Sequence, residues 1–137
     1  MPLKYLLDTC TISEVVKAAP SPAVLAWIAG QADVDLYLSV VTVGEIRKGI
    51  EVARSKNSAA ALRYEGWLEE LIRNYASRIL SFDESAAQIW GKLMASTPHA
   101  GVEDAQIAAI AAAHGMGVAT RNIKDFAPFG VPLWDPF

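Results

Sequence analysis

Four carboxylates stand in this chain where solvated charges are not expected. Asp8 ends the apolar run Tyr5-Leu6-Leu7 and is followed by three small side chains, Thr9, Cys10 and Thr11. Glu45 follows the second apolar run, Leu36–Val41, in what reads as the first turn of a helix. Asp104 opens an alanine-rich helical stretch, and Asp125 follows Thr120-Arg121-Asn122 after the run Gly117–Thr120. A charge at the edge of an apolar strand is costly unless something compensates it. Carboxylates that converge on one crevice repel each other and raise each other's pKa. A divalent cation resolves both problems. Hard oxygen donors without a cysteine or histidine cluster suit Mg²⁺ or Mn²⁺ rather than zinc. One or two such ions can activate water and stabilise charge on a phosphodiester. Spacing alone leaves plainer readings open. Glu45 and Asp104 can cap helices and complement their dipoles, and Asp125 can be an ordinary loop acid. Asp8 is the hardest to explain that way.

The elements that must position these acids alternate. A strand over Lys4–Asp8 leads to a short helix at Ile12–Lys17, which Pro20-Ser21-Pro22 interrupts. Ser21 and Pro22 suit the start of a second helix. A second strand covers Leu36–Val41. Thr42 then reads as a helix cap, with Glu45 at the capping-box spacing. Ile46, Ile50 and Ala53 continue an apolar stripe. After a turn at Lys56-Asn57-Ser58, a long helix runs over Ala59–Tyr75, with Leu62, Trp67, Leu68, Leu71 and Ile72 as its packing face. A short strand at Arg78–Phe82, a helix opened by Asp83, a loop at Thr97–Gly101, the helix to His114 and a strand at Gly117–Thr120 follow. Gly115 suits a helix stop. Val131–Trp134 reads as an edge strand, where Pro132 is tolerated. Strands separated by helices require crossover connections and a mainly parallel sheet covered on both faces. In such a sheet the strand ends and the following helix starts share one edge, where ligands bind. Topology therefore puts Asp8, Glu45 and Asp125 on that edge. The expectation is one α/β domain over residues 1–137.

Composition narrows the class. The chain is 53% hydrophobic and 20% charged, which is globular rather than disordered. No apolar run approaches the ~20 residues of a membrane helix. Met1–Leu7 is too short an apolar run for a signal peptide. Cys10 is the single cysteine, so no intrachain disulfide can form. A cytoplasmic protein is the plain expectation. The net charge of −3 argues against coating nucleic acid by charge alone. Five cations lie between Arg47 and Arg63, against the acid Glu51. They form either a solvated helix face or a landing strip for a polyanion.

The ordered set of fragments resembles the PIN-domain family. The residues that carry the likeness are Leu6-Leu7-Asp8-Thr9 with Ile12-Ser13-Glu14, then Leu38–Gly49, Glu103–Ala109, and Val118–Asn122 with Asp125-Phe126. Within the family the chain is most similar to VapC-type toxins of bacterial toxin–antitoxin pairs, FitB-like members included. The resemblance implies a three-layer α/β/α, Rossmann-like fold with a mainly parallel sheet of four to five strands. It implies a Mg²⁺- or Mn²⁺-dependent endoribonuclease that cleaves RNA by metal-activated water. Asp8, Glu45, Asp104 and Asp125 match the family's acidic pocket, and Thr120 its usual hydroxyl beside the metal. Thr9 follows the first acid as the pattern expects. Cys10 departs from it, because Asn is frequent there, and it reads as a buried small residue. The resemblance also implies a homodimer and a small VapB-like antitoxin, through which DNA is bound. The helix pair Thr42–Tyr75 with Trp67 is then either an antitoxin groove or ordinary core.

His99 and His114 read as structural or surface residues, and Arg121 as a surface cation or a phosphate contact. Without the four pocket acids the formal charge becomes +1, which weakens the objection to RNA. A catalytically silent PIN-like module holding a protein or RNA is the alternative reading. A phosphoacceptor receiver domain ranks low, because Asp8 lacks an early acidic partner and no lysine follows the late strand.

Overall fold

The computed structural model describes residues 3–137; Met1 and Pro2, on which the reading of the leader partly rests, lie outside them. Five parallel strands form one sheet: β1 (Tyr5–Leu7), β2 (Leu36–Ser39), β3 (Ile79–Leu80), β4 (Gly117–Ala119) and β5 (Leu133–Trp134), in the spatial order β3-β2-β1-β4-β5. Among the described residues seven α-helices accompany them: α1 (Thr9–Ile12), α2 (Pro22–Ala29), α3 (Val40–Arg54), α4 (Ser58–Tyr75), α5 (Glu84–Ser96), α6 (Val102–Ala113) and α7 (Ile123–Phe126). The expected parallel α/β architecture, with an edge strand near Pro132, is what the chain adopts.

Alternation along β1 divides the core. Leu6 and Leu7 are both fully buried and point to opposite faces. Leu6 joins Val118, Phe126 and the apolar residues of α6. Leu7 joins Ile12, Leu38, Ile46, Ile50, Leu68 and Leu71. The central strand thus carries one core on each side, as a sheet covered by helices on both faces requires. Among the described residues no helix is long and apolar enough to cross a membrane.

Several boundaries differ from the expectation. The first helix starts at Thr9, because the Asp8 carboxylate caps it by accepting from the Thr9 N–H at 2.9 Å. It tightens into a 3₁₀ turn over Ser13–Val16 and stops before Lys17. β2 ends at Ser39, whose hydroxyl accepts from the Thr42 N–H at 3.1 Å. Ser39 is therefore the cap of α3, and Thr42 is buried inside the helix. The capping box does not form, and Glu45 lies in the second turn. Ser39 wins because it is the residue at which the chain leaves the sheet. On α4 the buried positions are Ala61, Leu68 and Leu71, flanked by Tyr64, Trp67 and Tyr75. Leu62 and Ile72 fall off that 3.6-residue stripe and are 63% and 43% exposed.

The cluster of cations also resolves. Arg47 and Arg54 both pair with Glu51 on their own helix and with Glu65 on α4. These two cations lace α3 to α4 and offer no landing strip. Glu14 is 3% exposed, forms an ion pair with Lys17 and accepts from the Ser21 N–H at 2.8 Å. That bond ties the end of the 3₁₀ turn to the start of α2. These contacts hold Glu14 below the usual carboxylate range, the Lys17 bond foremost.

Gly117 marks a close approach. A Cβ there would stand 2.9 Å from the Pro132 carbonyl oxygen and 3.1 Å from Leu3 and Tyr5 side-chain carbons. Gly91, inside α5, has nothing within 4 Å of the same position. The two substitutions should therefore differ in sign. Gly117→Ala is expected to cost about 1–3 kcal/mol by overpacking, and Gly91→Ala to gain up to ~1 kcal/mol in helix propensity. Urea denaturation at fixed protein concentration checks both; equal effects would remove the close-approach account of Gly117.

Candidate functional site

The site is built on the carboxyl edge of the sheet. The parallel register pairs Leu6 with Val118 and Leu7 with Ala119. The next residues, Asp8 and Thr120, then emerge side by side. The Asp8 N–H donates to the Ala119 carbonyl at 3.0 Å, and the Thr120 hydroxyl donates to Asp8 Oδ2 at 2.7 Å. Thr120 Oγ1 in turn accepts from the Asn122 N–H at 2.9 Å. Asp8 and Thr120 are both buried. Asp8 is thus held at both carboxylate oxygens, Oδ1 by the helix start and Oδ2 by the neighbouring strand.

The second acid comes from α3. Thr9 Oγ1 stands 3.1 Å from both Glu45 Oε1 and Thr42 Oγ1. A hydroxyl has one proton and an ionised carboxylate only accepts, so that proton goes to Glu45. Thr9 is then left to accept from Thr42. The third acid comes from the first turn of α6. His114, Gly115 and Met116 connect the end of α6 to the start of β4, so this helix runs back against the sheet. Its N-terminus, with Asp104, therefore reaches the edge that Asp8 occupies. Asp125 sits in α7, beyond β4, and is exposed.

Mutual repulsion marks these acids as neighbours. Asp104 is pushed up to about 6, by desolvation first and then by the charges of Asp8, Asp125 and Glu103. Glu45 is raised by desolvation, against which the Thr9 hydrogen bond works; the charges of Asp8, Glu103 and Asp104 add to the rise. The structure thus bonds Thr120 to Asp8, sets Glu45 and Asp104 within reach of the Asp8 charge, and sets Asp125 within reach of Asp104. It adds Glu103, whose only sequence signal is its position beside Asp104.

Cys10 is not the buried small residue expected. It is half-buried, and its thiol lies 3.4 Å from Asp8 Oδ2 and 3.7 Å from Thr120 Oγ1. Burial and the Asp8 charge raise its pKa, so the thiol keeps its proton and donates weakly to Asp8. Arg121, the other open question, rests its guanidinium over the Phe137 ring at 4.1 Å. His99 is a surface residue, on the wall of a cleft it shares with Asp104, Lys124 and Asp125.

The donors suit a hard cation, in a particular way. Among the described residues, no three Asp, Glu, His or Cys side chains close on a common point as an all-protein cage would. Mg²⁺ does not need such a cage. It is usually held by one or two carboxylates and keeps several waters. An all-oxygen set of repelling carboxylates, one of them fixed at both oxygens, fits an ion of that kind.

Comparison with known proteins identifies the family. The PIN domain model matches residues 5–128. The plasmid stability protein StbB of Pseudomonas syringae pv. tomato is 40% identical over 136 residues, which cover 96% of this chain and 97% of StbB. The VapC ribonuclease Y4jK of Sinorhizobium fredii is 40% identical over 138 residues, which cover 96% of each protein. The crystal structure of FitAcB from Neisseria gonorrhoeae superposes with a TM-score of 0.88 at 34% identity, covering 96% of this chain and 97% of that one. With its parallel sheet, its clustered edge acids and a family match over nearly its full length, this chain belongs to the PIN domain family.

Proposed function

We propose that this chain is a Mg²⁺- or Mn²⁺-dependent endoribonuclease, the toxin of a VapBC-type toxin–antitoxin pair. The observation that supports it most is the gathering of carboxylates at one sheet edge: Asp104 is pushed up to about 6 by desolvation first and then by the charges of Asp8, Asp125 and Glu103, and Glu45, raised by desolvation, also feels Asp8. Asp8 would hold the ion, with Glu45, Asp104 and Asp125 around it. When bound, the ion supplies an activated water and positive charge against the phosphodiester.

The chain's own residues set the geometry. Thr120 fixes one oxygen of Asp8 and the Thr9 N–H the other, so the carboxylate cannot rotate. Thr9 orients Glu45. These donors are neutral, so they satisfy lone pairs without cancelling the negative charge.

The partner reading uses another surface. A cleft of about 310 Å³ lies between the 3₁₀ turn and the α3–α4 pair, with Val16, Ile46, Ile50, Ala53, Tyr64 and Trp67 on its walls. An apolar cleft of this form suits the apolar face of an antitoxin helix. DNA would be reached only through that antitoxin, and a homodimer is the assembly proposed.

Purified protein with Mg²⁺ or Mn²⁺ is expected to cleave single-stranded RNA. Thr120→Val should lose about 10–100-fold, as loss of a group that orients a ligand does, and Asp8→Asn should lose more. Cleavage by Asp8→Asn at the wild-type rate would remove Asp8 from the mechanism. Wild-type protein that neither cleaves RNA nor binds either ion in calorimetry would favour the silent-module reading.

The raised pKa of Asp104 gives a stability test. Its folded pKa lies above the unfolded value, so the folded state binds more protons and stability falls as pH rises between about 4 and 6. Asp104→Asn should therefore stabilise the protein at pH 7.5, by about 1 kcal/mol once solvent screening is allowed for. The gain should vanish below about pH 4. A divalent ion should raise the melting temperature of wild type more than that of Asp104→Asn. A melting curve for the variant below wild type at pH 7.5 would contradict the repulsion account.

Val16→Asp places a carboxylate in the apolar cleft. It is expected to abolish co-purification with the antitoxin encoded beside this chain while RNA cleavage persists. Retained co-purification would move the antitoxin to another surface.

A further inference from the structure

Two clefts open on the acidic edge, one on each side of the N-terminus of α6. The first has a volume of about 510 Å³ and includes His99, Gly101, Asp104, Lys124, Asp125 and Pro128. The second has a volume of about 420 Å³ and is lined by Glu45, Lys48, Gly49, Val52 and Glu103. Glu103 and Asp104, adjacent on α6, face different clefts. α6 packs against both α3 and α7. Those two helices carry Lys48 and Lys124 respectively. Each cleft therefore has one carboxylate on α6 and, on the facing helix, a second carboxylate together with a lysine.

The state of those lysines is informative. Among the described residues neither Lys48 nor Lys124 is in an ion pair, whereas Arg47 and Arg54 on the same α3 helix are bound to Glu51 and Glu65. Both lysines are exposed. Their ammonium groups are not spent on neutralising the acids beside them. The pattern is a negative centre with one free cation on each side. That pattern complements a row of phosphates whose middle member meets a cation held by the acids. The volumes fall in the range of small-ligand sites, ~300–1,000 Å³, which suits a nucleotide or two of a single strand rather than a duplex. Neither cleft is lined by Phe, Tyr or Trp. Stacking on Phe, Tyr or Trp, common in single-strand binders, has no surface there, and His99 is the one aromatic ring in either lining, so the contact proposed runs through the backbone.

We infer that the two clefts form one track for single-stranded RNA across the acidic edge, in which Lys48 and Lys124 grip the phosphates on either side of the one cleaved. This rests on the ribonuclease reading. It assigns the two lysines as positioning residues for substrate.

The test separates the two. Binding of a labelled 12-nucleotide single-stranded RNA (a length chosen to span about both clefts) to the Asp8→Asn protein is followed by anisotropy over a salt series. Each of Lys48→Ala and Lys124→Ala should lower the slope of log K against log salt by about 0.7, the value for one lost contact to a single strand. Lys48→Arg and Lys124→Arg should restore it, and Lys56→Ala, on a surface outside both clefts, should leave it unchanged. In the cleavage-competent protein the alanine variants should raise KM with kcat kept, as loss of uniform binding does. Unchanged slopes for both alanine variants, with wild type still cleaving RNA, would overturn the track and leave the nuclease reading standing. A change in only one of them would overturn the continuous path. Equal competition by a duplex of the same sequence would overturn the single-strand assignment. Wild type that neither binds nor cleaves RNA would remove both.

Discussion

The parallel pairing of β1 with β4 is the constraint on which the rest depends. It sets Leu7 against Ala119, and so sets Asp8 against Thr120. One residue of slip would send every side chain of a strand to the other face. Asp8 would then lose the Thr120 hydroxyl, and the helix that Asp8 caps would start in the wrong place. The register is secured by burial. Leu6, Leu7, Val118 and Ala119 are all fully buried, so a slip would also scramble both cores. Two three-residue strands can hold a functional carboxylate firmly because each carries packing on both faces.

Collecting carboxylates works against folding, and the chain offsets it without cancelling their charge. The donors around Asp8 and Glu45 are hydroxyls, a thiol and a backbone amide. Each satisfies a lone pair and leaves the net charge in place. A lysine or arginine in the same position would stabilise the fold more and would also compete with any cation the acids serve. The ion pairs instead lie where charge has no further use. Arg47 and Arg54 fasten α3 to α4, and Lys17 meets Glu14 at the foot of α2. The rise of Asp104 reflects its desolvation first and then the repulsion left over. Residual destabilisation of this sort is common where function needs a strained or charged arrangement.

Much of this was legible from the chain, for local reasons. Asp8 and Asp125 follow apolar runs, and Asp104 stands at the head of an alanine-rich helix, so topology and spacing bring them together. Glu45 was found for an imperfect reason. Thr42 looked like the cap, but Ser39 leaves the sheet first, and the helix had already begun. Two hydroxyls three residues apart compete for one role, and only the end of the strand decides between them. Leu62 and Ile72 read inward by type because apolar residues crowd α4; the face is set by Ala61, Leu68 and Leu71 at helical spacing. Cys10 was read from its type, whereas its contact with Asp8 depends on where the turn after β1 aims it. Glu103 is marked in the sequence only by standing beside Asp104, Lys48 only as one of five cations between Arg47 and Arg63, and Lys124 not at all. They are ordinary helix residues, and only the packing of α6 against α3 and α7 gives them a shared edge.

Helix α3 concentrates these roles through its period. Glu45, Lys48 and Val52 form the stripe that lines the second cleft. Ile46, Ile50 and Ala53, one position on, form the wall of the apolar cleft proposed for a partner helix. Arg47, Glu51 and Arg54, one further, form the ion-paired seam to α4. Residues three and four apart share a face, so three registers give three surfaces on one helix. Gly49 lies between the first two and lines both clefts. A Cβ there would meet nothing within 4 Å, so steric crowding does not require glycine at this position. Its effect is to leave only backbone between the two spaces. A partner seated against Ile46 and Ile50 is therefore within one turn of Glu45 and Lys48. The groove and the acidic edge thus lie on adjoining faces of one helix.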